Sequence, residues 1–430
     1  MNITRTTPAA RAVRLAAVAL AGATVLAVAP TAAVAADGGS GTAAVSADAA
    51  SRIDLGPELR AIVERGSSTA ALGEARENGR RVWREAAGVN DIDSQRTPRV
   101  DGRFRIGSVT KTFVSTVVLQ LVDEGRLRLD DPVERYLPGV VPNGGAITLR
   151  QLLNHTSGLY DYLSDPRFLY QDEASLRSYL ADRRWKSWSP AQLIEVGVQG
   201  ATYFPPGQGW HYSNTNYVLI GEVIRKVTGH NWRSEVDRRI VKPLHLDDTT
   251  FAGTRPGIPG PHAHAYAKLP EGLADLTLIN PSFGDAAGDG ISTTADLNRF
   301  HAALFGGRLL SAARFAEMTT AVPAPMLGAH YGLGLIRYDL PCGEVWGHTG
   351  GIPGYNTVWL GSKDGARQFS LSFNLSQGAE SEDTFTTLNA FILKASCGVG
   401  AVGAAGAAGA AGAAGAKGGA TANSAFTLLR

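Results

Sequence analysis

Apolar residues recur every three or four positions after Ser108, which is the spacing of an amphipathic helix. These apolar positions are Val109, Phe113, Val114, Val117, Val118, Leu121 and Val122. Residues spaced in this way share one face of an α-helix and can pack together into a core. Gly125 stands where the C-terminal cap of such a helix belongs. The pattern therefore predicts a helix that begins at Ser108 and ends just before Gly125.

Further helices are predicted from capping signals and helical periodicity. Thr148 with Gln151 is typical of a capping box. Ser189 precedes a proline at the first helical position, and Gly229 closes a periodic apolar run. Thr294 is predicted to cap a helix of its own. The predicted helical segments are residues 55–64, 148–154, the segment from 190, 217–227, 294–304 and 383–396.

Strand-like runs lie towards both ends of the chain, with the helices inserted between them. The predicted strands are residues 81–87, 104–106, 345–348, 355–361 and 368–373. This order predicts an α/β protein of the α+β kind: an antiparallel sheet flanked by helices, with an inserted all-helical subdomain.

The N-terminal segment is typical of a secretory signal peptide. Arg5, Arg11 and Arg14 precede an apolar stretch at residues 15–29, and small residues follow at 33–36. The apolar stretch is short for a membrane span, so cleavage near Ala36 and export are favoured over a membrane anchor. We therefore expect a secreted, extracellular protein without a membrane span in the mature chain.

Composition divides the chain into four regions. Residues 1–36 form the expected signal peptide, and residues 37–50 are an Ala/Gly/Ser-rich linker. Residues 51–398 are predicted to form the catalytic domain. Residues 399–430 are a low-complexity Gly/Ala tail with little to bury, which is expected to be disordered.

Charge and cysteine content exclude some functions and predict one crosslink. The formal net charge is +2, from 41 basic and 39 acidic residues. This balance gives no support to nucleic-acid binding or attachment to a membrane surface. The two cysteines, Cys342 and Cys397, are expected to form one disulfide that holds the C-terminal helix to a strand, because the chain is expected to be exported. The alternative is a free-thiol nucleophile, but neither cysteine has a histidine in a suggestive context.

Three separate motifs carry residues suited to acyl transfer. Ser108 and Lys111 lie three positions apart on the predicted helix, so their side chains can meet there. A serine hydroxyl needs a neighbour to take its proton, and burial can lower the pKa of a lysine enough for that task. Tyr212 near a lysine ammonium is favoured as a phenolate general base, and Asn214 can donate to a substrate carbonyl.

The third motif is His348-Thr349-Gly350-Gly351, which ends one predicted strand. Glycines let a substrate backbone approach a strand edge, and free N–H groups there can stabilise an oxyanion. Each motif alone has a structural alternative: a chance spacing, a packed tyrosine beside a helix cap, or a hairpin turn. Their order along the chain, with a helical insertion between the first and the last, favours a serine hydrolase.

The chain resembles the superfamily of penicillin-binding proteins and class C β-lactamases, and within it the secreted Streptomyces D-alanyl-D-alanine carboxypeptidases. The motifs that carry this resemblance are FRIGSVTK from Phe104, LQLVDEG from Leu119, YSNTN from Tyr212, YGLGL from Tyr331 and GHTG from Gly347. The resemblance spans about residues 50–398 and also includes the signal peptide and the two-cysteine pattern.

The resemblance implies a role for each motif residue. Ser108 is acylated, while Lys111 and Tyr212 relay protons. Asn214 holds the substrate amide. His348 stands where many relatives have lysine, Thr349 contacts the substrate carboxylate, and the N–H groups of Ser108 and Gly351 form the oxyanion hole. Phe283 is expected to line the pocket.

Two positions depart from the carboxypeptidase pattern. Ile336 stands where those enzymes carry arginine, and Gly351 where they carry a hydroxyl residue. Both of these groups help to hold the terminal carboxylate of the substrate. Arg337 could replace the missing arginine only if a bulge turned it to the other face of its strand.

The favoured function is that of a serine-type D-Ala-D-Ala carboxypeptidase that acts on cell-wall peptides and is acylated by β-lactams. No metal or cofactor is expected. An esterase, a D-aminopeptidase or a β-lactamase-like hydrolase on the same fold is the first alternative. A secreted binding protein that has lost catalysis is the second.

Several other polar residues are weaker candidates. His262 and His264 are expected to be surface histidines rather than a zinc pair, because no third ligand follows at a recognisable spacing. His155 is expected to lie in a structural turn. Asp161 and Asp289 fall near the predicted site loops and receive no role.

Overall fold

The computed structural model describes residues 53–168, 170, 172–375 and 381–398. The expected signal peptide, the linker and the Gly/Ala tail lie outside these residues. Within the described part of the chain, no helix is both long enough and apolar enough to cross a bilayer.

Strands occur in both halves of the described chain. They are β1 Ser68–Glu77, β2 Arg80–Gly88, β3 Phe104–Arg105, β4 Thr250–Phe251, β5 Tyr266–Leu269, β6 Gly272–Asp275, β7 Gly290–Ser292, β8 Val322–Ala324, β9 Ala329–Tyr331, β10 Ile336–Leu340, β11 Gly343–Ile352, β12 Tyr355–Gly361 and β13 Arg367–Leu375.

Helices fill most of the region between β3 and β8 and also stand at both ends. They are α1 Gly56–Glu64, α2 Thr110–Asp123, α3 Leu149–Leu153, α4 Glu173–Ala181, α5 Pro190–Gln199, α6 Asn214–Thr228, α7 Trp232–Val236, α8 Asp285–Gly288, α9 Thr294–Phe305, α10 Ala312–Met318 and α11 Glu382–Cys397.

One antiparallel sheet joins the two ends of the described chain. Its strand order is β2-β1-β13-β12-β11-β10-β9-β8. Helices α1 and α11 contact each other and share an apolar cluster with the sheet. Helix α9 contacts β1, β12 and β13, and α2 belongs to a second apolar cluster with it. The structure is therefore the α+β arrangement that the sequence predicted, with helices inserted between β3 and β8.

Aromatic packing fixes α2 against the sheet. The Phe113 ring of α2 stacks on Phe300 of α9 at 3.8 Å between ring centroids, and Phe300 stacks on Trp359 of β12 at 5.4 Å. All three side chains are buried. Truncation of such a ring to alanine typically costs about 3–5 kcal/mol of stability. This stack joins the first turn of α2 to α9 and β12.

Most helix ends are set by the signals that predicted them. Thr148 and Gln151 form a capping box at the start of α3, and Ser189 caps α5. Gly229 ends α6 with φ of 79°, a left-handed conformation that glycine adopts without steric cost. The prediction at α9 was off by one residue, because Thr293 rather than Thr294 is the N-cap.

Four strands of the sheet, β1, β8, β9 and β10, were not predicted. β1 consists largely of small and charged residues, whose intrinsic preference for strands is weak. It becomes a strand because it pairs with β2 on one side and β13 on the other. β8, β9 and β10 were missed because they are short, with 3, 3 and 5 residues.

The predicted disulfide is present. Cys342 and Cys397 are bonded, with their Cα atoms 5.4 Å apart. Cys397 is the last residue of α11, as expected, whereas Cys342 lies in the turn between β10 and β11 rather than within a strand. The bridge therefore holds the end of α11 to the sheet.

Candidate active site

Ser108 lies in a short turn between β3 and α2. β3 pairs with β7, and the N–H group of Ile106 donates to the carbonyl of Gly290 at 2.9 Å. A 3-10 turn then spans Gly107–Val109 before α2 begins. Gly107 has φ of 48°, and a Cβ atom there would lie 2.8 Å from the Gly351 nitrogen. Glycine at 107 thus lets β11 approach the half-buried Ser108.

Lys111 is fully buried one turn after Ser108. Its Nζ atom lies 3.0 Å from Ser108 Oγ, 2.7 Å from Asn214 Oδ1 and 2.8 Å from the carbonyl oxygen of Ala287. Burial lowers the pKa of Lys111 to about 7, although the Asp161 carboxylate raises it in part. A substantial fraction of this lysine is therefore neutral near pH 7 and can accept the proton of Ser108.

Tyr212 precedes α6 and stands over Lys111. The Lys111 Nζ atom lies 4.8 Å from the centre of the Tyr212 ring. Burial raises the pKa of Tyr212 well above its usual value, although a hydrogen bond with Ser108 lowers it in part. The expectation that Tyr212 is a phenolate in the resting enzyme is therefore wrong. At neutral pH Tyr212 is a phenol, which can donate a proton to a leaving group and accept one through its oxygen.

Asn214 is the first residue of α6 and connects two charged groups. Its Oδ1 atom accepts from Lys111, while its Nδ2 atom lies 3.1 Å from each carboxylate oxygen of Asp161. The backbone N–H of Asn214 also donates to Asp161 Oδ1 at 3.0 Å. The Asn214 side chain is thus fully engaged within the protein.

His348 lies on β11 and is buried. The Tyr331 hydroxyl lies 2.8 Å from His348 Nε2, and His348 Nδ1 bonds to the carbonyl of Thr349. A carbonyl can only accept, so Nδ1 carries the proton and Nε2 accepts from Tyr331. Burial lowers the pKa of His348 to about 3, and the nearby Lys111 charge adds to this effect. The position that is lysine in many relatives is therefore uncharged here.

The glycines after Thr349 bring β11 against the Ser108 turn. A Cβ atom on Gly350 would lie 2.0 Å from the carbonyl oxygen of Ile106 and 3.1 Å from the Ser108 nitrogen. Together with the approach of Gly351 to Gly107, this places the N–H groups of Ser108 and Gly351 in neighbouring backbone segments. Two such donors can stabilise the oxyanion of a tetrahedral intermediate.

The strand beside β11 carries no guanidinium towards Thr349. Ile336 is buried, and β10 pairs with β11 in regular register from Ile336 to Leu340, without a bulge. Arg337 therefore points to the opposite face, where its Nη2 atom contacts His330 and Asp339. The Tyr338 side chain, on the Ile336 face, hydrogen-bonds to Thr349.

Three residues at the site were missed or left without a role. Asp161 contacts Asn214, and Ala287 offers its carbonyl to Lys111. Tyr338 could have been found from its position two residues after Ile336, on the same strand face. Ala287 carries no sequence signal, since it acts through its backbone.

His155 packs against the site, and Phe283 lies near it along the chain. His155 has φ of 64° and packs its ring against Tyr212 at 4.2 Å. Its Nδ1 atom lies 3.2 Å from the Ser213 nitrogen, and burial holds its pKa well below the usual range. Phe283 is half-buried in a turn shortly before Ala287, and its carbonyl accepts from Tyr162. That Phe283 lines the substrate pocket stays a prediction.

The pair His262 and His264 lies apart from these residues. The two rings stack at 5.9 Å, His262 bonds to the carbonyl of Gly260, and His264 pairs with Asp275 at 2.8 Å. Each histidine therefore already has a protein partner.

A family profile and a curated relative both match most of the chain. The family profile named Beta-lactamase matches residues 60–394. The chain is 28% identical over 342 residues to penicillin-binding protein 4* of Bacillus subtilis (strain 168), which covers 74% of this chain and 71% of that protein.

Two solved structures are similar over most of the chain. A D-stereospecific amidohydrolase from Streptomyces sp. is 42% identical with a TM-score of 0.71, covering 80% of this chain and 98% of that one. A D-amino acid amidase from Ochrobactrum anthropi SV3 in complex with L-phenylalanine is 28% identical with a TM-score of 0.69, covering 79% and 97%.

Proposed function

Because this chain belongs to the beta-lactamase family of serine hydrolases, we propose that it cleaves amides of D-amino acids through an acyl-enzyme on Ser108. The proposal rests on the side chains of β10 that share a face with Thr349. Ile336 and Tyr338 lie on that face, whereas Arg337 points away to Asp339. The leaving group therefore meets uncharged side chains there.

The first chemical step uses Lys111 as the base. Neutral Lys111 takes the proton of Ser108 Oγ, which attacks the substrate carbonyl. The oxyanion is stabilised by the N–H groups of Ser108 and Gly351. The Tyr212 phenol delivers a proton to the leaving nitrogen and regains one from the Lys111 ammonium. Water then cleaves the ester of Ser108, with the same groups acting in reverse.

The absence of a guanidinium from this face of β10 argues for a neutral leaving group. A terminal carboxylate is held best by charge-assisted bonds from arginine. Here Thr349 is bordered by the Tyr338 phenol, and His348 is uncharged near pH 7. An amide whose leaving group is ammonia or an uncharged amine needs no such cation. The similarity to a D-stereospecific amidohydrolase and a D-amino acid amidase supports the same substrate class.

A D-Ala-D-Ala carboxypeptidase is the second candidate. Thr349 and the backbone N–H groups of β11 offer hydrogen bonds to a carboxylate, and the likeness to penicillin-binding protein 4* supports this activity. The motif resemblance to the Streptomyces carboxypeptidases also favours it. In that case the carboxylate is held by neutral donors alone, and we expect a high KM for the peptide.

The two candidates are separated by a substrate panel. Initial rates are measured for D-phenylalanine amide, L-phenylalanine amide and an N-acylated peptide that ends in D-Ala-D-Ala. We expect cleavage of the D-amide with kcat/KM at least about tenfold above the other two substrates, a difference of about 1.4 kcal/mol in the barrier. Faster release of D-Ala from the peptide would reverse the order of the candidates.

We also propose that the mature protein is extracellular. The basic, apolar and small-residue pattern of residues 1–36 supports this localisation. Expression of the full chain in an actinobacterial or other bacterial host, with N-terminal sequencing of the protein from the medium, tests it. A product that stays in the cell pellet with its first 36 residues intact would contradict it.

A further inference from the structure

We propose that Asp161 is a positioning residue for the base: it holds the Asn214 amide in one orientation and thereby directs the lone pair of neutral Lys111 at Ser108. This inference rests on the proposed acyl transfer at Ser108, but not on the identity of the natural substrate. Asp161 touches neither Ser108 nor Lys111 through a hydrogen bond and acts through Asn214.

The argument begins with the three partners of Lys111. Asn214 Oδ1 and the carbonyl oxygen of Ala287 can only accept hydrogen bonds. A neutral lysine has two N–H bonds and one lone pair. When both N–H bonds point to these two acceptors, the lone pair is left for the third partner, Ser108 Oγ, at 3.0 Å. The serine hydroxyl can then donate its proton along this contact.

This assignment holds only while Asn214 presents its oxygen to Lys111. With the amide reversed, its NH₂ group would occupy the position 2.7 Å from Nζ and would compete with Ser108 for the lone pair. The Asp161 carboxylate prevents the reversal because it can only accept. Both of its oxygens lie 3.1 Å from Asn214 Nδ2, and a reversed amide would place an oxygen against them.

Asp161 is itself held by the backbone. Its Oδ1 atom accepts from the N–H groups of Asn214 and Leu163, at 3.0 and 3.2 Å. Burial raises the pKa of Asp161, and the hydrogen bonds from Asn214 lower it in part. The carboxylate is therefore anchored at the start of the turn Tyr162–Ser164, facing α6.

Asp161 differs from the other groups near Lys111 because it carries a negative charge. His155 and His348 also face Lys111, but burial keeps both neutral near pH 7. The rings of Tyr212 and Tyr217 lie 4.8 and 5.4 Å from Nζ, and burial raises the pKa of each phenol. Asp161 is the acidic group whose charge raises the pKa of Lys111. Removal of the Asp161 carboxylate is therefore expected to lower the pKa of Lys111.

The test compares the acylation of Ser108 in Asp161→Ala, Asp161→Asn, Asn214→Ala and the double variant Asp161→Ala/Asn214→Ala. The probes are p-nitrophenyl acetate and a fluorescent penicillin, followed from about pH 5 to about pH 9. Asp165→Ala is the matched control, because Asp165 lies in the same loop and pairs with the exposed Arg167. Circular dichroism and thermal unfolding verify that each variant is folded.

We expect Asp161→Ala to lower the plateau acylation rate about 10- to 100-fold, as is typical when a catalytic group loses its orientation. Asp161→Asn keeps an acceptor for Asn214 and is expected to lose less. Both variants are expected to move the acid limb of the profile to lower pH, since both lack the carboxylate charge. Asp165→Ala is expected to match the wild type.

The double-mutant comparison separates positioning from a purely structural role. If Asp161 acts through Asn214, Asp161→Ala changes the plateau less than about threefold when Asn214 is already alanine. Multiplicative losses, an Asp161→Asn plateau as low as that of Asp161→Ala, or wild-type acylation in Asp161→Ala would each overturn the proposal. Wild-type acylation by the probes without cleavage of D-amino acid amides would instead overturn the proposed function and leave this comparison valid.

Discussion

Lowering the pH from about 8 to about 5 is expected to slow the acylation of Ser108 roughly 90-fold, because Lys111 must be neutral to accept the serine proton. Burial lowers the pKa of Lys111 to about 7. With that pKa, the neutral fraction falls from about 0.9 at pH 8 to about 0.01 at pH 5. An exposed lysine with the ordinary pKa of 10.5 would be neutral only about 0.03% of the time at pH 7.

The sign of the pH dependence follows from the protonation state that reacts. The free base is the reactive form, so kcat/KM rises with pH through about 7 and then levels off. Tyr212 does not add a limb in this range, because burial raises its pKa well above 10. His348, with a pKa of about 3, does not titrate there either.

The assay is the second-order rate of p-nitrophenyl ester hydrolysis in overlapping buffers of constant ionic strength. Lys111→Met is the matched variant, because methionine fills much of the same buried space without a titrating group. Its residual activity is expected to be flat with pH. A wild-type profile that is flat from pH 5 to 8, or one that still rises steeply at about pH 10, would refute the assignment of Lys111 as the base.

Three further predictions concern the nucleophile, the disulfide and a buried histidine. Ser108→Ala is expected to abolish labelling by fluorescent penicillin, and an adduct that persists in this variant would rule out Ser108 as the nucleophile. Cys342→Ser with Cys397→Ser is expected to lower the unfolding free energy by about 4 kcal/mol, from the entropy of a loop with a sequence separation of 55; denaturant unfolding that is unchanged would contradict this. Burial lowers the pKa of His301 to about 3 from 6.5, so stability is lost as the pH falls through 6.5, by about 2 kcal/mol at pH 5. His301→Gln is expected to remove that loss, which unfolding at pH 7 and pH 5 would reveal.

The sequence predicted the elements whose signals are local. Helix α2, which carries Lys111, follows from apolar spacing, although it begins at Thr110 and not at Ser108 as predicted, and its end follows from Gly125, which has φ of 71°. The capping box at Thr148 likewise marks a helix start by hydrogen bonds within a few residues. In each case, the groups that decide the structure lie within one or two helical turns of each other.

The sequence failed where pairing between distant segments decides the structure. β1 has little strand propensity, and it is a strand because β2 and β13 satisfy its backbone on both sides. The protonation state of Tyr212 was also predicted wrongly. A nearby lysine lowers the pKa of a tyrosine, but here burial raises the pKa by more than the lysine can lower it. Burial depends on the whole core and cannot be read from the tripeptide around Tyr212.

By itself, the sequence predicted the contact between Ser108 and Lys111 and the pair of cysteines that form the bridge. Only the tertiary structure decided that Asn214 reaches Lys111 across 103 positions of chain, that Asp161 holds the other end of that amide, and that Arg337 faces away from Thr349. The physical reason is that spacing along a helix fixes which side chains share a face. Contact between remote segments, by contrast, is set by packing, strand register and the burial of charge.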